Sequence, residues 1–118
     1  MMLLTKALKD KLIENSNVNR ALNAKNKDTI DFKPVIKFFM PSGGATWLFT
    51  EYDPDNNELF GLCDLGMGEP ELGYVSFEEI SRVKGSFGLG VERDMSFVAN
   101  KTLSEYAKEA RELQRINA

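Results

Sequence analysis

The stretch FFMPSGGATWLFTEYDPDNNELFGLCDLGMGEPELGY, Phe38–Tyr74, decides the fold. It holds short apolar runs separated by glycine, proline, aspartate and asparagine. Val35 to Met40 is rich in β-formers. Pro41-Ser42-Gly43-Gly44 is a turn signal. Ala45 to Tyr52 alternates, with Trp47 and Phe49 on one face and Leu48 and Tyr52 on the other. Asp53-Pro54-Asp55-Asn56-Asn57 is a second turn, and Leu59 to Asp64 a third strand. Gly66 to Pro70 reads as a loop, and Glu71 to Val75 as a fourth strand. Links this short predict an antiparallel meander.

Helical patterns flank this block. Leu4, Leu8 and Leu12 recur at helical spacing, with Ile13 beside them. Thr5 or the chain start opens this helix. Asn15, Ser16, Asn17 and Asn19 weaken it, because their side chains compete for the backbone. Val18 to Leu22 continues or restarts it, and Asn23 to Lys33 is a polar loop. Ser76-Phe77-Glu78-Glu79 matches a capping box and predicts a short helix to about Val83. Gly85 to Gly90 is a glycine-rich connector, and Val91 to Val98 a last strand. A second capping box, Thr102-Leu103-Ser104-Glu105, opens a C-terminal helix carrying Leu103, Tyr106, Ala107, Ala110 and Leu113 on one stripe.

The expected architecture is α+β: a small antiparallel sheet with the N- and C-terminal helices packed on one of its faces. At 118 residues the chain is read as one domain. Its parts are a helical and polar segment, 1–33, a β-rich core, 34–98, and a C-terminal helix, 102–116.

Composition narrows the chemistry. There is no histidine, which removes the commonest general base and metal ligand. Cys63 is the only cysteine, so no disulfide can form within the chain. The formal net charge of −3 argues against a dedicated duplex-DNA binder. No apolar run approaches transmembrane length, and the start lacks the apolar core of a signal peptide. A cytoplasmic protein without cofactor, metal or membrane contact is the expectation.

A family resemblance covers Val35 to Ala110. Its residues are Lys37-Phe38-Phe39 with Pro41, Ala45-Thr46-Trp47, Thr50-Glu51-Tyr52-Asp53, and Phe60-Gly61-Leu62. Pro70-Glu71-Leu72-Gly73-Tyr74 with Ser76, Gly88-Leu89, Glu92-Arg93-Asp94 and Leu103-Ser104 complete the ordered series. In these the chain resembles the bacterial domain-of-unknown-function 2958 family. The resemblance implies a small intracellular protein carried on plasmids, phages or integrated mobile elements. It supplies no catalytic residues. The asparagine-rich Asn15 to Lys33 is less family-like.

Each candidate chemistry has a plainer reading. Asp53, Asp55 and Asn57, with Asp64 at position twelve, resemble a calcium loop, but Glu58 stands where glycine is needed. A hairpin turn explains them. Gly66, Gly68 and Gly73, and Gly85, Gly88 and Gly90, miss the spacing of a phosphate cradle. Glu51, Asp64, Glu69 and Glu71 offer acid–base pairs, yet solvated strands carry such charges routinely. Cys63 beside Asp64 reads as a structural thiol of raised pKa. Trp47, Phe49, Tyr52, Phe60, Tyr74 and Phe97 lack the interleaved cations of a base-stacking platform and read as core. Arg93 is expected to pair with Glu51 or Glu71.

The function read from the sequence is therefore a non-enzymatic interaction or accessory module of a mobile genetic element, with an unknown protein as partner. The alternative is a nucleic-acid-associated protein in plasmid or phage maintenance; an enzyme built on the acidic cluster ranks third. Binding to nucleic acid is expected to be weak or absent. The candidate binding residues are Trp47, Glu51, Glu71, Tyr74, Arg93 and Asp94, since aromatics and arginine dominate protein hot spots.

Overall fold

Thr5 caps the first helix, its hydroxyl accepting the Leu8 N–H at 3.3 Å. The computed structural model describes residues 2–85 and 88–118. From that cap, α1 runs unbroken over Lys6–Ala24. The Asn15–Asn19 stretch does not interrupt it. Asn15, Ser16 and Asn19 fall in helical phase with Leu8 and Leu12, and all three are buried. The Asn15 and Asn19 amides find tertiary partners, so their competition with the helix backbone is lost.

The strands follow as a meander: β1 (Ile36–Phe39), β2 (Thr46–Asp53), β3 (Glu58–Asp64) and β4 (Glu71–Ser76). A short helix, α2 (Phe77–Arg82), then leads to β5 (Glu92–Arg93) and α3 (Leu103–Leu113). The sheet is antiparallel, in the order β4-β3-β2-β1-β5. The expected Val91–Val98 strand is thus only two residues long. Much of the Gly85–Gly90 connector is seen, but Ser86 and Phe87 lie outside the described residues.

The terminal helices cover opposite faces, which corrects the one-face expectation. Leu12 of α1 joins Ile36, Phe38, Trp47, Phe49, Tyr52, Leu59 and Ile80 in one cluster. Leu103, Tyr106, Ala107 and Ala110 of α3 join Leu48, Leu62 and Ile116 in another. Both faces of the central strands are apolar, so both need a cover. Truncating Leu12 to alanine would cost about 2–5 kcal/mol.

Tyr52 also departs from the simple alternation. It shares the α1 face with Trp47 and Phe49 rather than joining Leu48. The β2–β3 register shifts between Phe49 and Glu51. One extra residue at such a bulge reverses the facing of everything after it.

The bulge also explains the buried amides. Beyond Ile36, β1 no longer runs beside β2. The Asn15 side chain donates to the Thr50 carbonyl at 3.0 Å. Asn19 donates to Glu51 Oε2 and to the Ile30 carbonyl, each at 3.1 Å, and accepts the Ile30 N–H at 2.7 Å. Helix side chains therefore stand in for the missing strand. An orphaned Thr50 carbonyl would cost about 1–3 kcal/mol.

On the other face α3 begins with the expected capping box, Thr102 and Glu105 exchanging hydrogen bonds. Asp64, buried at the end of β3, accepts the N–H of Gly66 and of Ile116. Among the described residues no helix is long and apolar enough to cross a membrane.

Candidate functional site

Both outer strands of the sheet are short, but they are finished differently. β5 has two residues, and its Arg93 is buried. The guanidinium donates to the Met2 and Leu3 carbonyls at 2.8 and 2.6 Å. Next to it, the Asp94 N–H bonds the Lys37 carbonyl at 2.9 Å, and the two side chains stand 3.7 Å apart as an ion pair. This edge fastens the start of the chain to the sheet.

β4 is longer and more open. All six of its residues are exposed or half-buried. Tyr74 is 66% and Leu72 39% exposed, and Leu65 and Met67 in the preceding loop are more than half exposed. It pairs with β3 from Glu71 to Ser76 without a register shift. The Phe77 N–H bonds the Asn57 carbonyl, which sets the parity of the ladder. Alternation then turns the amides of Glu71, Gly73 and Val75 toward β3. Those of Leu72 and Tyr74 point outward, and no described residue takes them.

A cavity of about 400 Å³ runs along this edge. Trp47 and Cys63 floor it, all of β4 lines it, and Glu79, Ile80 and Val83 close its far side. Cys63 is free, and its thiol is pushed up to about 11 by burial and then by the Glu71 carboxylate. The raising carboxylate is Glu71 across the strand, where the sequence pointed to Asp64.

A second cavity, about 360 Å³, is polar. Asn19, Arg20, Glu51, Asp53, Glu58, Phe60 and Tyr74 are among its walls. Arg20 reaches Asp53 at 2.9 Å and Asp55 at 3.4 Å. Burial raises the Glu51 pKa above its usual value, against the pull of the Asn19 hydrogen bond. The Phe60 and Tyr74 rings pack 5.0 Å apart.

The six sequence candidates therefore separate. Trp47 and Glu71 meet on one face of the β4 cavity, and Tyr74 lines it from the strand edge with its ring turned to the other face against Phe60. Trp47 is only 4% exposed, so it is floor rather than contact surface. Glu51 lines the polar cavity. Arg93 and Asp94 sit on the far edge, so Arg93 and Glu71 stand at opposite sides of the sheet. The expected Arg93–Glu71 pair is replaced by the bonds to Met2 and Leu3, and Glu51 is held by Asn19.

The other constellations are dispersed as well. Asp53 ends β2 opposite Glu58, at the far end of β3 from Asp64 and about 20 Å from it at strand spacing, so they share no loop. Asp53 instead accepts from the Asp55 N–H and the Asn56 amide within its turn. Asp64 caps backbone, and Glu71 faces the other side of the sheet from Glu51. Among the described residues no group of three or more Cys, Asp or Glu side chains is placed to hold a metal. Trp47, Phe49 and Tyr52 are buried, while Tyr74 is exposed, so the aromatics form no common platform.

Sequence reasoning missed Leu65, Leu72, Ile80 and Val83 as neighbours of Glu71 and Tyr74.

Residues 3–117 match the family described as "Protein of unknown function (DUF2958)". The chain belongs to this family. The DUF2958 match takes in Asn15–Lys33, the segment that carries Asn15 and Asn19. No curated protein and no solved structure gives a significant match to this chain.

Proposed function

We propose that this DUF2958 protein is a non-enzymatic accessory module that works by binding another protein through the β4 edge. The observation that carries this reading is the unpaired β4 backbone beside an apolar cavity, with Leu72 and Tyr74 exposed on the same edge. Exposed strand edges are liabilities that proteins usually blunt with a bulge, a covering element or very short length. β5 is blunted by its length; β4 runs six residues with no bulge. An edge left open in this way fits a partner surface.

Support against catalysis comes from the carboxylates. Asp53 and Asp64 are engaged by their own loops and by Arg20 and Ile116. Glu51 is held by Asn19. The setting we propose is a bacterial cytoplasm, in service of a mobile element, which rests on the family resemblance alone.

A photo-crosslinking amino acid at position 72 or 74, compared with one at position 95 beyond β5, tests the reading in the native cell. Discrete protein adducts from 72 and 74, but not from 95, are expected. Fluorescence anisotropy with single-stranded and duplex DNA is the counter-test. Affinity no better than about 10⁻⁴ to 10⁻⁶ M is expected. Nanomolar binding at physiological salt would overturn the reading in favour of nucleic acid.

A further inference from the structure

The edge also limits what kind of partner fits it. We propose that β4 accepts an extended segment of another protein as a sixth strand, with apolar side chains alternating with Lys or Arg. The inference rests on the protein-binding reading above and specifies its ligand.

The backbone supplies the first argument. Leu72 and Tyr74 each turn an N–H and a C=O away from β3. A strand laid alongside would satisfy all four groups, which is how edge-strand recognition gains affinity without depending on sequence.

The cavity supplies the alternation. It follows the whole of β4, with Trp47 as floor and Ile80 and Val83 as the opposite wall. Every second side chain of an added strand points to the same face. Apolar side chains of one set would pack on Leu72 and Tyr74, which face the side of Leu62 and Phe60; Lys or Arg of the other set would enter the cavity on the side of Glu71 and Val75, their stems along its apolar walls. Gly73 leaves room for them: a Cβ built there would touch nothing within 4 Å.

Charge selects the cavity-side positions and the occupant. The charged residues lining the cavity are Glu71 and Glu79, and no Lys or Arg lines it. Pairing β4 with a second copy of itself would bring glutamates from both chains to one seam. Like charges gathered along one seam repel. A basic strand meets the same rim with opposite charge, so the edge favours a foreign segment over its own copy.

Fluorescence anisotropy with labelled heptapeptides tests this. The probes are an alternating Lys/Val peptide, an alternating Glu/Val peptide, and a Lys/Val peptide of the same composition with the two residue types in blocks. A fourth is the alternating Lys/Val peptide N-methylated on every second amide. The alternating Lys/Val peptide should bind at least about 10-fold tighter than the others, a difference of about 1.4 kcal/mol. The double variant Glu71→Lys, Glu79→Lys should prefer the Glu/Val peptide. Tyr74→Pro removes one outward N–H while leaving the ladder to β3, and should weaken binding at least 10-fold. If Tyr74→Pro does not fold, the N-methylated peptide carries the same arm.

Equal binding of the blocked or N-methylated peptide would overturn strand addition. So would failure of every peptide to bind while positions 72 and 74 still crosslink to a protein; that result leaves the protein-binding reading standing. Loss of the crosslinks as well would remove both. A free protein that dimerises through β4 in sedimentation equilibrium would overturn the choice of partner.

Discussion

The two edges of this sheet make opposite use of similar material. β5 spends Glu92 and Arg93 on fastening the chain. Its arginine is buried, and one of its terminal nitrogens holds the carbonyls of Met2 and Leu3 ahead of α1. β4 carries apolar and aromatic side chains into solvent, and no described residue pairs its outer backbone. Had β4 been needed for stability, burial would have been the way to use Leu72 and Tyr74. Side-chain chemistry alone thus misleads about role. A charged residue builds the closed edge, and apolar ones decorate the open edge.

The sharpest contrast lies between two facing glycines. Gly61 of β3 pairs with Gly73 of β4. A Cβ at Gly61 would stand 1.8 Å from the Leu48 carbonyl oxygen, so the backbone itself would have to move. Gly61→Ala should cost more than about 4 kcal/mol or abolish folding. Gly73→Ala, one strand nearer the edge, should stay within about 0.5 kcal/mol. Urea denaturation of both variants checks this; equal losses would mean that β4 is packed as tightly as the interior.

The next largest effect compares the edges directly. Arg93→Ala strands two carbonyls that lose a charged donor, and should cost about 2–4 kcal/mol. Arg93→Lys should recover only part, because an ammonium lacks the second nitrogen that reaches Met95 Sδ at 3.3 Å. Leu72→Ala and Tyr74→Ala should each cost under about 1 kcal/mol, since both side chains are largely in water. Thermal melts that rank Tyr74→Ala beside Arg93→Ala would break the comparison.

A smaller effect reports on the floor beneath the open edge. The Cys63 thiol is shifted from 9.0 to about 11. Its protonated form is the one favoured by folding. That contribution is full below pH 9 and is lost as the pH rises toward 11. At pH 8 only about one thiol in a thousand is ionised, and the thiolate is the reactive form. Iodoacetamide should therefore label Cys63 slowly at pH 8 and about tenfold faster per pH unit above it. Rapid labelling at pH 7 would place Cys63 in a more open or more positive setting than the cavity floor.

Much of the sheet was legible because strands and turns announce themselves locally. Pro41–Gly44 and Asp53–Asn57 marked the hairpins, and Glu71–Val75 fell within a residue of the strand observed. Legibility failed where the partner was distant in sequence. Asn15 and Asn19 read as helix breakers because nothing local reveals the Thr50 carbonyl or the bulge it adjoins. The same bulge hid the facing of Tyr52. Arg93 read as a carboxylate partner because a carbonyl acceptor at Met2 leaves no trace in composition. Of the residues lining the β4 cavity, Trp47, Glu71 and Tyr74 were named from residue type. Their cavity was not, since it needs α2 folded back beside β4.

Amide hydrogen exchange on the free protein tests the central claim most directly, because it reads the β4 backbone one residue at a time. The outward N–H groups of Leu72 and Tyr74 should exchange at close to unprotected rates, while those of Gly73 and Val75, held by β3, exchange slowly. Adding the alternating Lys/Val peptide should then protect Leu72 and Tyr74. Slow exchange at Leu72 and Tyr74 in the free monomer, matching Gly73, would contradict the account, because it would mean that the edge is already paired.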